Sequence, residues 1–211
     1  MLGCPLSGAS KAKSLLLMSG GLDSSSAAFY LTSKGESFDC VFFDYGQRSA
    51  RMQLRSSKTI CDKLGKRLIV FRIKGVSVPF IEKGWLRPHE PITHRNLVIL
   101  PIAIAFAKEK GYGEVIIASV KEDCEYEKDR IIVISKLKEL GSMIGIKVST
   151  PFALMPKWML LRLGTASGLD PSDTYSCLLG HAYHCGQCSQ CQRRKEAFKQ
   201  AGLSDPTRYY S

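Results

Sequence analysis

The chain has 211 residues, 45% of them hydrophobic and 23% charged, with a formal net charge of +11. That size suits one ordinary domain with a small appendage, and that balance suits a soluble globular chain rather than a disordered one. A membrane span is excluded, because the longest charge-free apolar stretch, 96–107, is far below the ~20 residues a bilayer needs. The apolar run 15–18 is too short for a secretory signal and leads straight into glycines. A cytoplasmic protein is expected. The 30 Lys and Arg against 19 Asp and Glu point to an anionic partner: nucleotide, nucleic acid or an acidic protein surface.

Residues 1–13 read as a loose leader. The run 14–18 before glycines reads as a buried strand, and 23–33 carries Ala27, Ala28, Tyr30 and Leu31 on a helical period. A second strand is expected at 38–43, a helix at 48–64 ending on Gly65, and a third strand at 68–73. The stretch 74–93 reads as irregular. A helix at 95–110 stops at Gly111, with Pro101 either kinking it or marking its true start. A fourth strand is expected at 114–119, a helix at 129–143, a fifth strand at 146–149, a helix at 156–166 with Pro156 in its first turn, and a basic helix at 189–201.

Strands alternating with helices at this spacing imply an α/β fold: an open parallel sheet with helices on both faces. Ligands bind such sheets beyond the carboxyl ends of the strands. The division expected is an α/β unit at 1–170 and a C-terminal cysteine motif with its basic helix at 171–211.

Ser19-Gly20-Gly21-Leu22-Asp23-Ser24-Ser25 joins the first strand to its helix. Paired glycines allow a tight turn and close ligand approach, and the hydroxyls and helix N-terminal amides can hold phosphate oxygens. Asp23 can cap the helix or hold a Mg2+ that accompanies phosphates. The loop is neither a dinucleotide fingerprint nor a Walker loop. Between Arg48 and Lys74 nine basic residues stand against one acid, Asp62. Arg48, Arg51 and Arg55 share one helix face, which reads either as solvated surface or as the wall of an anion-binding cleft.

Four of the eight cysteines are scattered (Cys4, Cys40, Cys61, Cys124), and four are clustered: Cys177, Cys185, Cys188 and Cys191. Four thiolates in this spacing suit tetrahedral zinc with no open position, hence a structural role; an iron–sulfur cluster is the alternative. His181 and His184, inside the cluster, read as loop residues rather than ligands. Arg193, Arg194 and Lys195 follow, to neutralise the tetrathiolate, reach phosphate or face water.

The Ser-Gly-Gly-x-Asp-Ser-Ser loop resembles the pyrophosphate loop of the adenine-nucleotide alpha-hydrolase superfamily, a Rossmann-like fold whose members split ATP between its alpha and beta phosphates. Further segments narrow the resemblance: Phe43-Asp44-Tyr45-Gly46-Gln47-Arg48, Arg95-Asn96, Lys157 after Pro151 and Pro156, and Tyr175-Ser176-Cys177 leading to Cys185-Gly186-x-Cys188-x2-Cys191-x2-Arg194-Lys195-x-Ala197-Phe198. In this order they resemble the 7-cyano-7-deazaguanine synthase (QueC-like) family over nearly the whole chain. The resemblance implies ATP-dependent adenylation of 7-carboxy-7-deazaguanine, attack by ammonia to give the amide, then a second activation and dehydration to the nitrile. It also implies Mg2+, one structural Zn2+ and often a homodimer. On it, Ser19, Gly20, Gly21, Leu22, Asp23, Ser24, Ser25 and Asp44 hold the nucleotide. Asp23, Arg95 and Lys157 serve the chemistry, with Arg48 a further cation, and Cys177, Cys185, Cys188 and Cys191 hold the metal. Read without the resemblance, Asp44 also suits a loop cap, Lys157 an exposed helix lysine, Arg95 and Asn96 a helix N-terminal turn, and His89 and His94 loop positions.

Two segments depart from the family pattern. Where relatives carry a segment resembling Tyr-Ser-Gly-Tyr-Pro-Asp-Cys-Arg, this chain has Lys121-Glu122-Asp123-Cys124-Glu125-Tyr126-Glu127-Lys128-Asp129-Arg130. Thr93-His94 stands where a small residue commonly precedes the arginine. Both changes fall on the side of the acid or its acceptor. The competing readings are therefore a diverged ligase joining a deazapurine acid to a protein amine, as in anti-phage defence, a tRNA-modifying pyrophosphate-loop enzyme, and a zinc module on an inactive nucleotide domain. Nucleic acid is not required by the leading reading.

Overall fold

The structure is a computed structural model and describes residues 12–73, 75, 92, 94–126 and 128–210. The leader 1–11, His89, most of 74–93 and the side chains of 124–131 lie outside the described residues.

The elements follow the order β1 (Ser14–Leu17), α1 (Leu22–Ser33), β2 (Phe38–Asp44), α2 (Ala50–Leu64), β3 (Leu68–Arg72), α3 (Asn96–Glu109), β4 (Glu114–Ile116), α4 (Lys121–Tyr126), α5 (Lys128–Met143), β5 (Lys147–Ser149) and α6 (Lys157–Ala166). A 3-10 turn at Pro171–Asp173 and α7 (Ser189–Ala201) complete the chain. All pairings are parallel in the order β3-β2-β1-β4-β5, with Leu17 opposite Val41 and Leu16 opposite Ile116. The chain reverses direction across the sheet between β3 and β4, so β1 sits at the topological switch point, where open α/β sheets bind their ligands.

Alternation along β1 and β2 fixes the layers. Leu15, Val41 and Phe43 face a core built with Leu100, Ala103 and Ile104 of α3 and Leu137 of α5. Leu16, Phe38 and Cys40 face the other way, onto Ala28 and Phe29 of α1 and Ile60 and Cys61 of α2. Every β1 and β2 residue but Leu17 and Asp44 is buried, as a parallel sheet covered on both faces requires. Outside α1 lies α6, and α7 packs on α6 through Leu161, Ala197 and Phe198.

The structure differs from expectation in four places. β4 ends at Ile116 rather than at residue 119, and a short helix, α4, follows. Six residues carry no readable apolar period, which is why the sequence does not show it. α2 begins at Ala50, two residues late. α3 runs unbroken from Asn96 through Pro101, so that proline does not mark its start. The turn Pro171–Asp173 is held by Asp170, whose carboxylate accepts from the Ser172 amide at 2.9 Å.

At the amino ends of the strands, the Tyr112 hydroxyl donates to Asp39 Oδ2 at 2.7 Å, and Lys13 Nζ lies 2.7 Å from Asp39 Oδ1. Burial raises the Asp39 carboxyl, but the hydrogen bonds from Lys13 and Tyr112 outweigh it and leave it below the ordinary value. Burial and Asp39 together push Tyr112 up to about 12. A depressed carboxyl stabilises the fold above its unfolded value of 3.8 and loses that contribution as pH falls through the folded one. Tyr112→Phe is expected to cost about 1–2 kcal/mol at neutral pH. The cost should shrink in acid once Asp39 is protonated, as read by urea unfolding at the two pH values.

Candidate functional site

The loop after β1 is shaped by contacts that admit no side chain at Gly20. Its φ is +70°, and a Cβ there would lie 2.3 Å from the Gln53 carbonyl oxygen and 2.9 Å from Ser56 Cβ and Ser57 Oγ, so α2 presses directly against the loop. The loop is braced from its other side by the Tyr175 amide, which donates to the Gly20 carbonyl at 2.8 Å. Gly21 occupies the N-cap of α1 and no side chain caps it. The first amides of α1 therefore remain for an external acceptor at the positive end of the helix. Ser19 and Ser24 hydroxyls lie 3.0 Å apart, and Ser24 Oγ also accepts from the Ser19 amide at 3.2 Å.

The expected nucleotide residues divide by what they can offer. Ser19 is exposed beside the loop. The Leu22 side chain is buried with Leu161 and Phe198, so only its amide faces outward chemistry. Ser25 is fully buried and its Oγ lacks a partner among the described residues, as does that of Ser57 behind Gly20. Asp44 ends β2, next to β1 at the same carboxyl edge. Its Oδ1 accepts from the Gly46 amide at 3.1 Å, closing a tight turn.

Lys157 is not an exposed helix lysine. It is 9% exposed, and its Nζ makes a short ion pair with Asp23 Oδ2. Two features bring them together. Gly164 of α6 lies so close to α1 that a Cβ there would be 2.6 Å from Ser26, so the helices cross in near contact with their N-termini at the same end. Glu122 of α4 then anchors the start of α6: both its carboxylate oxygens accept from the Lys157 amide at 3.0 Å. A carboxylate at a helix N-terminus satisfies an orphan amide and the helix dipole.

Burial raises the Asp23 carboxyl and outweighs the opposing pull of Lys157; Asp123 and Glu122 raise it further. Asp123 and Glu122 thus lie near enough to Asp23 to act on its charge, and Arg193 is 3.7 Å from Asp123. Sequence reading did not single out Glu122 or Asp123 as site residues, since their placement depends on α4. Glu122→Ala is expected to cost about 1 kcal/mol by leaving the Lys157 amide without its acceptor. Glu122→Gln, which keeps an acceptor, should stay near wild type. Unfolding midpoints check both.

Arg95 is the N-cap residue of α3 and is half-buried. Because α3 returns from the carboxyl edge after β3 to the start of β4, Arg95 stands at the carboxyl edge with the loop. His94, beside it, is exposed.

The four clustered cysteines converge. Their Sγ atoms all lie within 4.8 Å of one another, and Cys185 and Cys191 are 3.9 Å apart. Four sulfurs about 2.3 Å from one tetrahedral ion stand roughly 3.8 Å from each other, so this cluster fits a single metal such as zinc. Amides already turn toward the sulfurs: Cys188 N to Cys185 Sγ at 3.2 Å, and Leu179 N and Cys185 N to Cys177 Sγ at 3.4 Å. Burial opposes ionisation of Cys185, yet the Cys188 and Gln187 amides draw it down to about 7.

Neither histidine joins the sulfurs. His184 Nε2 accepts from the Ser176 amide at 3.0 Å, and the His181 carbonyl accepts from Tyr175 at 2.8 Å. Arg194 neither faces water nor reaches outward. Fully buried, it donates to Thr207, Thr174, Ser176 and the Pro171 carbonyl, and lies 3.6 Å from Asp205. It ties the C-terminal segment to the stretch that braces the glycine loop.

The fold is shared with solved structures of low sequence identity. An NMN synthetase from Francisella tularensis aligns at TM-score 0.59 and 13% identity, over 93% of this chain and 79% of that one. The U34-tRNA thiolase NcsA from Methanococcus maripaludis aligns at 0.55 and 17%, over 90% and 68%. Among curated relatives, 7-cyano-7-deazaguanine synthase 1 of Sulfurisphaera tokodaii is 71% identical over 93% of this chain and 98% of its own length. The 7-cyano-7-deazaguanine synthase of Methanothermobacter thermautotrophicus is 30% identical over 93% and 99%. The family model described as queuosine biosynthesis protein QueC matches residues 13–202, and with that match the chain belongs to the QueC family.

Proposed function

We propose that this chain is a 7-cyano-7-deazaguanine synthase, an ATP-dependent C–N ligase that adenylates 7-carboxy-7-deazaguanine and converts it with ammonia to the nitrile. The observation that carries the reading is the pairing of Lys157 with Asp23 at the uncapped glycine loop, in a chain 71% identical to a relative of that name. In the proposal residues 1–170 form the ATP-binding unit and 171–211 the zinc motif and basic helix, in a cytoplasmic homodimer.

A carboxylate is a poor electrophile, and joining its oxygen to AMP makes that oxygen a leaving group. The α1 amides, with Ser19 and Ser24, cradle the phosphates. Gly20 and Gly21 keep the backbone close, and Asp44 lies at the neighbouring strand end toward the nucleoside. Arg95 and Lys157 stabilise the negative charge that grows at the alpha phosphate. Asp23 aims Lys157 before ATP arrives. Its other carboxylate oxygen is a hard donor of the kind Mg2+ takes, and Mg2+ on the triphosphate would further neutralise charge. Ammonia is itself the nucleophile, so no protein base is required in a site that excludes water. Zinc on Cys177, Cys185, Cys188 and Cys191 would be structural, since all four positions are filled by protein.

The name of the 71% identical relative favours ammonia over a protein amine as acceptor. A tRNA thiolase would need reactive cysteines at the loop, whereas Cys40 and Cys61 are buried in the core between β2 and α2. The test is incubation of zinc-loaded protein with ATP, Mg2+, 7-carboxy-7-deazaguanine and ammonia, followed by mass. Amide and then nitrile should appear with AMP. AMP with product held until a protein amine is added would replace this reading with the diverged ligase. No AMP would remove both.

A further inference from the structure

Next to the residues that brace the glycine loop, a groove of about 450 Å³ runs between α2 and the C-terminal segment, lined by Met52, Arg55 and Thr59 on one side, Tyr183 and Arg208 on the other, and Ser56, Asp173 and Tyr175 between them. Nothing in the adenylation chemistry uses it, and its make-up is unusual on two independent counts.

The first is charge. Arg51, Arg55 and Lys58 recur at four- and three-residue steps, so they form one row along α2, Arg48 stands in the turn before it, and all four are exposed. Among the described residues none of them, nor Arg208 across the groove, has a side-chain hydrogen bond or ion pair. The row on α2 spans about 10 Å at ~1.5 Å per residue, the length of roughly three phosphate steps at ~3.4 Å along one stacked strand. The zinc loop keeps this row beside the groove: a Cβ at Gly180 would lie 2.4 Å from the Arg48 carbonyl, so loop and helix meet without a gap.

The second is aromatic. Tyr183 and Tyr210 are 44% and 60% exposed, with ring centroids 5.4 Å apart, and His181 lies 6.1 Å from Tyr210. Large rings left in water beside unpaired guanidinium groups form stacking platforms next to an anion track. Single-stranded nucleic acid offers both complements at once: a regular row of phosphates and unpaired bases that stack without regard to sequence. A duplex hides its base faces, and a free mononucleotide matches one cation of the row.

We propose that this groove binds single-stranded nucleic acid, with the α2 row on the backbone and Tyr183 and Tyr210 stacking on bases. The row and the two rings are not among the residues proposed to hold ATP, although the groove between them borders the brace of the glycine loop. The experiment is fluorescence anisotropy of a labelled single-stranded RNA of about 12 nucleotides with the zinc-loaded full chain, at salt from about 50 to about 200 mM.

Wild type should bind with log affinity falling against log salt at a slope of about −2 to −3, from roughly −0.7 per phosphate. The double variant Arg51→Glu and Arg55→Glu should weaken binding at least about tenfold and flatten that slope. The double variant Tyr183→Ala and Tyr210→Ala should weaken it about tenfold with the slope kept, and Tyr183→Phe with Tyr210→Phe should restore it. Release of AMP from ATP should stay at the wild-type rate in all of them. Three results would each overturn the proposal: no salt-dependent binding by wild type, equal affinity for a duplex of the same sequence, or variants that bind RNA as wild type does.

Discussion

Asp23→Asn is expected to lower AMP formation by at least about 100-fold while leaving the unfolding midpoint at or slightly above that of wild type. The two effects have opposite signs for one reason. The Asp23 carboxyl is held above its ordinary value by burial and by the nearby Asp123 and Glu122 charges, against the pull of Lys157. A carboxyl raised on folding favours the fold at low pH and works against it as pH rises from 3.8 through the folded value. Asparagine does not titrate, so the variant escapes the stability lost as that carboxyl ionises. The same charge aims Lys157 at the loop, so the site loses its orientation when the charge goes. Circular dichroism melts and AMP release from one preparation read both quantities. Full activity in the variant would reduce Asp23 to a first-turn helix residue, and a large fall in midpoint would mean that the ion pair is mainly structural.

Cys188→Ser should purify without stoichiometric zinc and lose more than about 4 kcal/mol, the range reached when a structural metal is lost, or about 10 °C or more in Tm for a chain of this size. Activity should fall with it, although a metal held by four cysteines would have no position open to substrate. The stretch from Asp173 to Cys177 is the link. The Asp173 carbonyl accepts from Ser56 Oγ at 2.6 Å, Lys63 Nζ lies 2.5 Å from Asp173 Oδ2, and the Tyr175 amide holds Gly20. Freed of its metal anchor at Cys177, this stretch no longer braces the loop. A soluble variant that holds no zinc yet melts like wild type would contradict a structural metal.

Much of this was readable because local signals and tertiary roles coincide. The strand–glycine–helix join at residues 14–33 and the cysteine spacing both announce their chemistry through short-range pattern. The open parallel sheet follows from the alternation of strands and helices, whereas its strand order is a finding of the structure. What escaped is what depends on contacts across the chain. Lys157 is named in the sequence through the family resemblance, but its pairing with Asp23 is not, because it needs Gly164 to let α6 lie on α1 and Glu122, 35 positions away, to hold its amide. Arg194 reads in the sequence as one of three cations that neutralise the tetrathiolate, reach phosphate or face water, but its guanidinium satisfies acceptors from Pro171 to Thr207 in the interior. α4 is too short for a period, and the side chains that depart most from the family pattern, from Cys124 to Arg130, lie outside the described residues.

The central claim is that the carboxylate oxygen of the deazapurine acid attacks the alpha phosphate of ATP. Acid labelled with ¹⁸O in its carboxylate tests it directly, with AMP, pyrophosphate and product analysed by mass. The account predicts one ¹⁸O in each AMP formed, none in pyrophosphate, one left in the amide and none in the nitrile. Unlabelled AMP beside labelled amide, or label in a phosphate other than AMP, would contradict activation through an acyl adenylate.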